Sequence, residues 1–280
     1  MADNATSTFR RHRIGLPEDE HGGRNSHVNV FAGQARKYLS LVDRVMPQAS
    51  SSLELTVPPI SLVSVTGSPN ANVSIRVWAE LTDTTTADLF AAVQLISEGG
   101  AVSLTGLPTL QIPAILRWDV MAPLARPLSV KSDHAAIDIF GITGPINVAT
   151  AHGRVSVLES GPEVVVNAAA GGSILCSGKP GGIISLTADG QITLRLTDPQ
   201  FAGEIRAWAR ESIDVYVPNE FASAFRAEVP AADRLICDDI TQARLKKVNG
   251  GSRPSFQSGS DPLVRFVSLE GTLSIHRCNS

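Results

Sequence analysis

The chain has 280 residues, of which 43% are apolar, 18% charged and only 5% aromatic, with a formal net charge of −3. The apolar content is too high for a disordered protein, and the near-neutral balance argues against a nucleic-acid-binding domain, which carries a clustered basic face. The 23 glycines and 17 prolines predict a chain with many turns.

The N-terminal residues 1–27 are polar and are expected to form a disordered leader. They hold no apolar segment of the signal-peptide type, and no run in the chain reaches transmembrane length. Basic residues at 10–13 leave a targeting signal open, although the acidic residues at 18–20 are untypical of one. The chain has three cysteines, Cys176, Cys237 and Cys278, and no two of them form a CxxC pair. A cytoplasmic location is therefore expected.

Residues 28–123 are expected to form a strand-rich lead-in with short helices. After a strand at 27–31, a short N-terminal helix is predicted over 34–46, because apolar residues recur there at helical spacing: Tyr38, Leu41, Val42 and Val45. Period-two alternation then predicts strands from residue 53 onward, with a hairpin turn at residues 97–100.

Residues 124–221 form the predicted repeat region. From residue 128 the sequence aligns in lines of nine, LSVKSDHAA, IDIFGITGP, INVATAHGR, VSVLESGPE and VVVNAAAGG. The first column holds Leu128, Ile137, Ile146, Val155 and Val164, and the third holds Val130, Ile139, Val148, Val157 and Val166, continuing to Leu175 and Ile184. Each line predicts a short strand that turns its first and third side chains inward, followed by a glycine-rich corner.

Two all-β architectures accommodate a nine-residue repeat. In a β-solenoid or β-roll, two strands make one coil of about 18 residues, and like strands stack in parallel. In an antiparallel β-sandwich, successive strands form hairpins around a wider core. Inward residues that are nearly all Val, Ile and Leu favour the solenoid. Residues 222–280 are expected to add a C-terminal cap and a closing hairpin, with 28–280 as one continuous domain.

The repeat region resembles the putative adhesin domain family, a mostly bacterial β-repeat family of unknown function. The resemblance rests on residues 122–197, on the strands of the lead-in and on the tail VRFVSLEGTLSIHR. Residues 133–136 depart from the Ser-Gly-Asp turn that is usual there in the family. The resemblance implies a β-solenoid fold with an adhesive or scaffolding role, and it implies no catalytic residues.

Few sequence features suggest chemistry. The loop at residues 176–182 has glycines and a lysine, but proline stands where a phosphate loop needs Ser or Thr. The pair His276 and Cys278 is too small a ligand set for a metal, and only Asp189 occupies a turn as calcium-binding repeats require. Asp133, His134 and Asp138 are best interpreted as a solvent-facing corner. Outward side chains are predicted at Arg206, Trp208, Asp214 and Tyr216.

The sequence therefore predicts a non-enzymatic structural or interaction protein that presents a rigid β-repeat surface to a protein or glycan. It predicts no catalytic, cofactor or metal site, and it leaves the oligomeric state open. A carbohydrate-active β-helix enzyme and a self-polymerising scaffold remain as alternatives. The first needs a carboxylate cluster on one face, and the second needs uncapped ends.

Overall fold

A computed structural model describes residues 26–31, 34–46, 51–81, 89–108, 114–178, 182–199, 201, 203–237, 245–248, 253–259 and 264–278. These residues form an all-β fold with one complete 3₁₀ turn, Ala232–Arg234, and no α-helix within the described ranges. The described part of the chain includes no helix long and apolar enough to cross a membrane. The leader lies outside these residues, apart from its last two positions, which begin the first strand.

The described residues form 23 strands, of which the first seven are β1 Ser26–Phe31, β2 Gln34–Met46, β3 Leu53–Val57, β4 Ser61–Ser68, β5 Val73–Leu81, β6 Gln94–Glu98 and β7 Ala101–Thr105. The next ten are β8 Ala114–Pro123, β9 Leu128–Phe140, β10 Ile146–His152, β11 Arg154–Ser160, β12 Glu163–Ala168, β13 Ser173–Gly178, β14 Ile183–Ala188, β15 Ile192–Leu196, β16 Glu204–Ala209 and β17 Ile213–Pro218. The last six are β18 Phe225–Glu228, β19 Leu235–Cys237, β20 Lys246–Val248, β21 Ser255–Ser258, β22 Val264–Ser268 and β23 Leu273–Cys278.

These strands lie in two sheets that share the long strand β9. Sheet A has the order β1-β2-β5-β8-β4-β9-β11-β13-β15-β17-β23-β19. Sheet B has the order β6-β7-β3-β9-β10-β12-β14-β16-β22-β18-β21-β20. The first half of β9 belongs to sheet B and its second half to sheet A. The chain therefore alternates between the two sheets from β9 to β17. We use the word coil below only for one sheet B strand together with the sheet A strand that follows it in the chain.

Strands in the repeat region pair in parallel with the strand two places along the chain. Ile146 lies between Leu128 and Val164, which are eighteen residues away in the chain on either side. In sheet A the step is nineteen residues from Val155 to Ile174. Antiparallel pairs occur among the described strands only in the lead-in and around β21.

The predicted inward columns are buried from Leu128 to Val166, and all ten side chains there are at most 2% exposed. The column fails at Leu175, which is only half-buried, while Ile174 and Cys176 beside it are buried. The corner between β12 and β13 contains one residue more than the nine-residue repeat predicts. A one-residue shift turns every side chain of a strand to the other face.

A glycine at the corner after β10 permits the close stacking of successive coils. Gly153 has φ +119°, and a Cβ atom there would overlap the carbonyl oxygen of Ala135 in the preceding coil. Neither the backbone conformation nor the space suits a side chain at this position. The sequence-predicted hairpin before β7 likewise turns on Gly99 and Gly100, which both have positive φ.

The helix predicted over residues 34–46 is wrong, because this segment is the strand β2, paired antiparallel with β5. The pairing register shifts between Ser40 and Val42, where a β-bulge leaves one residue without a partner. A bulge interrupts the period-two alternation of a strand. The apolar residues on either side of it, Tyr38, Leu41, Val42 and Val45, therefore have the spacing of a helix.

The predicted closing hairpin is also wrong, since β22 and β23 do not pair with each other. β22 lies in parallel between β16 and β18, and β23 lies in parallel between β17 and β19. The last segment of the chain is therefore inserted as a coil between two strand pairs that precede it in sequence. Local pattern cannot reveal this insertion, because the partners are up to sixty residues apart.

Candidate functional site

The outer face of β9, β10 and β12 on sheet B includes several small polar side chains. On sheet B it forms a shallow groove of about 410 Å³, which includes Lys131, Asp133, Ala149 and Asn167 among its lining residues. The parallel register places Lys131, Ala149 and Asn167 side by side on neighbouring strands. This groove offers hydrogen-bonding groups, and its lining includes no Phe, Tyr or Trp within the described part of the chain.

In the corner that holds Asp133 and His134, the imidazole packs on another ring, and Asp138 lies on the other sheet. His134 stacks on His152 of the next coil, with ring centroids 4.2 Å apart and planes 5° apart. The Nδ1 atom of His152 lies 2.8 Å from the carbonyl oxygen of Ala170. Asp138 belongs to the sheet A half of β9, where it forms an exposed ion pair with Arg154 at 3.6 Å.

The sequence analysis considered Cys176 as part of a phosphate loop and Asp189 as part of a calcium-binding turn. In the structure, both side chains contact other parts of the protein. Cys176 is buried in the core, and burial raises the pKa of its thiol to about 12. Positions 179–181 of that loop lie outside the described residues. Asp189 accepts a hydrogen bond from the Gly171 N–H at 3.0 Å and pairs with Arg210 at 3.1 Å. Both carboxylate oxygens of Asp189 are therefore engaged by protein groups.

A ladder of rings and charge lies on sheet A, formed by Arg195, Tyr216 and His276. Tyr216 lies between the other two, with the guanidinium 5.4 Å and the imidazole 5.0 Å from its ring centroid. The His276 Nε2 atom is 4.0 Å from Asp214. Because Tyr216 is covered on both flanks, its ring faces are occupied by protein.

A groove of about 340 Å³ runs beside this ladder, and Cys278 lines it together with residues of the ladder. No group of three or more His, Cys, Asp or Glu side chains with metal-site geometry occurs within the described residues. His276 and Cys278 thus have no third ligand in that part of the chain. Arg195 and Cys278 supply polar groups to the lining of this groove.

The second cluster lies on the outer face of sheet B, on β16, β22 and β18. Arg206, Arg265 and Arg226 are register partners on these adjacent parallel strands, so their side chains form one outward column. Trp208 lies in the next outward column and is 39% exposed. We call this surface the Arg–Trp face, defined by Glu204, Arg206, Trp208, Arg226, Glu228 and Arg265.

Carboxylates on the same strands hold two of the three arginines. Glu204 accepts a hydrogen bond from Arg206 at 2.6 Å, and Glu228 pairs with Arg226 at 2.9 Å. Arg265, between them, is exposed and has no ion-pair partner among the residues that the structure describes. The Nε atom of Arg226 is buried and also has no hydrogen-bond partner there. Arg265 therefore offers exposed guanidinium donors that no described carboxylate occupies.

The sequence predicted part of this arrangement. It placed Arg206 and Trp208 outward, and both are exposed as expected. It also expected Asp214 and Tyr216 outward, and these half-buried side chains lie on the other sheet. It missed Arg226 and Arg265, because a closing hairpin would pair β22 with β23 and not with β16 and β18 of sheet B. The sequence signal was the apolar residues Val264 and Phe266 on either side of Arg265.

No protein-family model matches the chain, and no curated protein matches it. One similar solved structure is a putative cell adhesion protein from Clostridium sporogenes, at 9% identity and TM-score 0.35, covering 85% of this chain and 99% of that one. Another is a putative adhesin from Bacteroides fragilis, at 12% identity and TM-score 0.35, covering 85% of this chain and 96% of that one. Both likenesses are remote.

Proposed function

We propose that residues 124–221 form a β-solenoid, completed by the inserted coil of β22 and β23, and that the protein is a non-enzymatic interaction protein of the adhesin type. In this proposal the coils are a rigid support, and the Arg–Trp face presents side chains to a protein or glycan partner. The observation that carries it is the grouping of Arg206, Arg265 and Trp208 on one outward surface. Exposed aromatic rings beside arginines are the usual anchors of recognition surfaces.

The rigidity of the support follows from its packing. The two sheets enclose one continuous apolar core, and the backbone groups of each coil hydrogen-bond to the next coil. Corner bonds such as Asp189 N–H to the Ala168 oxygen, at 3.0 Å, repeat at Arg210 and Leu269. A surface fixed in this way loses little conformational entropy when it binds a partner.

The enzymatic alternative needs carboxylates that are free to act as acid and base. The two carboxylates on the Arg–Trp face, Glu204 and Glu228, are each held by an arginine. A carboxylate that is already paired with an arginine is less available to contact a substrate. The face is therefore better suited to holding a ligand than to cleaving it.

One observation favours a second candidate, the self-polymerising scaffold. The strand β19 pairs with β23 and has no partner on its other side among the described strands, and its Ile236 is 51% exposed. An edge of this kind is a template for another chain. Electron microscopy of the purified protein decides this alternative, since filaments support it and discrete particles exclude it.

The proposed function is tested on a glycan array with product analysis, using the wild type and Trp208→Ala. We expect the wild type to be retained by a subset of glycans, with retention weakened in the variant and no sugar released. Because Trp208 is partly exposed, its loss leaves the core intact, and an unchanged melting temperature is the control. Release of sugar would contradict the proposal, and so would retention that Trp208→Ala leaves unchanged.

A further inference from the structure

The spacing of the three arginines is set by the sheet. Neighbouring strands lie about 4.8 Å apart, and Arg206, Arg265 and Arg226 occupy the same register position on three successive strands. Their column therefore runs across the strands, along the direction in which the coils stack. Gln257 and Lys246 continue this register on β21 and β20. The column is a linear set of donors and suits a linear ligand.

The guanidinium N–H groups of this column are suited to binding oxyanions. A guanidinium group carries five N–H donors in a planar fork, and one carboxylate satisfies only part of them. Arg265 at the centre has no partner carboxylate in the described part of the chain, whereas the flanking arginines each share one. A ligand with carboxylate or sulfate groups along its length would pair with Arg265 and with the remaining donors of its neighbours.

The other side chains of the face select among polyanions. Trp208 offers a partly exposed indole, a surface on which the C–H face of a sugar ring packs. Glu204 and Glu228 carry carboxylate oxygens that can accept hydrogen bonds from hydroxyl groups, which a polysaccharide carries on its sugar rings. Successive stacking rings, which single-stranded nucleic acids use, are not provided by one tryptophan. Hydroxyls and spaced acidic groups occur together in acidic polysaccharides.

We propose that the Arg–Trp face binds an extended acidic polysaccharide, with its carboxylate or sulfate groups on the arginine column and a sugar ring against Trp208. This inference rests on the proposed function and names the class of partner. The polysaccharide would lie across β16, β22 and β18, so that the inserted coil supplies the central contact, Arg265.

The test measures binding of the full chain to four probes by biolayer interferometry: polygalacturonate, dextran sulfate, neutral dextran and polyglutamate. We expect binding to one or both of the acidic polysaccharides and little to the other two. The first pair distinguishes carboxylate from sulfate as the recognised group. Arg265→Gln should weaken binding about tenfold, as expected for loss of a charge-assisted hydrogen bond, and should make the affinity less sensitive to salt.

The matched control is Arg154→Gln, an equally simple loss of an exposed arginine on sheet A. It should leave binding unchanged, and all variants should keep the wild-type melting temperature. Equal weakening by Arg154→Gln, or stronger binding to polyglutamate, would overturn the inference. Binding to neutral dextran that needs Trp208 but not Arg265 would also overturn it, while leaving the proposed function intact.

Discussion

The middle coils, residues 128–196, and the last coils, residues 204–278, share one architecture but have different cores. Inward positions of the middle coils are filled mainly by Val, Ile and Leu. Buried aromatic side chains in the described residues lie outside that segment, at Phe90, Trp118, Phe201, Phe221, Phe225 and Phe266. The low aromatic content of the chain therefore reflects the middle coils, where each strand packs on others like itself.

The outer surfaces of the two regions differ in the same way. The middle coils expose Ser, Ala, Asn and Thr along much of sheet B, whereas the last coils expose Arg206, Trp208 and Arg265. The inward columns continue through both regions, so the support is kept while the outward side chains change. This difference teaches that function is to be sought where the outer wall departs from the repeat.

The largest effect is expected from a charged substitution in the core that both regions share. Val148→Asp places a carboxylate at a fully buried position between Val130 and Val166, and should destabilise the protein by about 5 kcal/mol because the charge has no partner. Asn147→Asp, on the same strand but facing solvent, should change stability by less than about 0.5 kcal/mol. Urea unfolding followed by circular dichroism compares the two, and similar midpoints would refute the inward assignment.

The next effect separates the two cores. Phe266 of the inserted coil lies between Ala207 and Ala227 in its column and contacts Phe225, with ring centroids 6.3 Å apart. Phe266→Ala should cost about 4 kcal/mol, because small neighbours cannot fill the cavity. Val148→Ala in the middle coils should cost about 2 kcal/mol, since it removes less volume from a uniform column. Equal losses in urea unfolding would show that the inserted coil contributes less packing than its burial indicates.

Much of the middle region could be predicted from the sequence, and much of the last region could not. The nine-residue spacing identified the buried columns from Leu128 to Val166, because each side chain there repeats its neighbour's environment. The interpretation failed at Leu175, where a corner gained a residue, and at β2, where a bulge shifted the alternation. It failed again at β22, because strand insertion depends on contacts between distant segments, which local periodicity does not encode.

A corner glycine gives a smaller effect. Gly153→Ala places a Cβ against the carbonyl oxygen of Ala135 at φ +119°, and should cost about 3 kcal/mol from strain and overlap together. Gly141→Ala has φ +70° but no atom within 4 Å of the added Cβ, so only backbone strain of about 1 kcal/mol is expected. The difference in thermal midpoint measures how closely successive coils stack. A Gly153→Ala midpoint no lower than that of Gly141→Ala would contradict the stacking at this corner.

The smallest effect is expected at the ion pair of Arg154 and Asp138 on sheet A. The two side chains are 63% and 59% exposed and 3.6 Å apart, so solvent screening should limit their contribution to about 0.5 kcal/mol or less. Arg154→Gln should therefore leave the urea midpoint nearly unchanged at low and at high salt. A larger loss would mean that side chains on the wall of the middle coils do stabilise the fold, and the contrast between the middle coils and the Arg–Trp face would weaken. If Arg154→Gln leaves the urea midpoint unchanged, the contrast holds and this variant is a suitable control for Arg265→Gln.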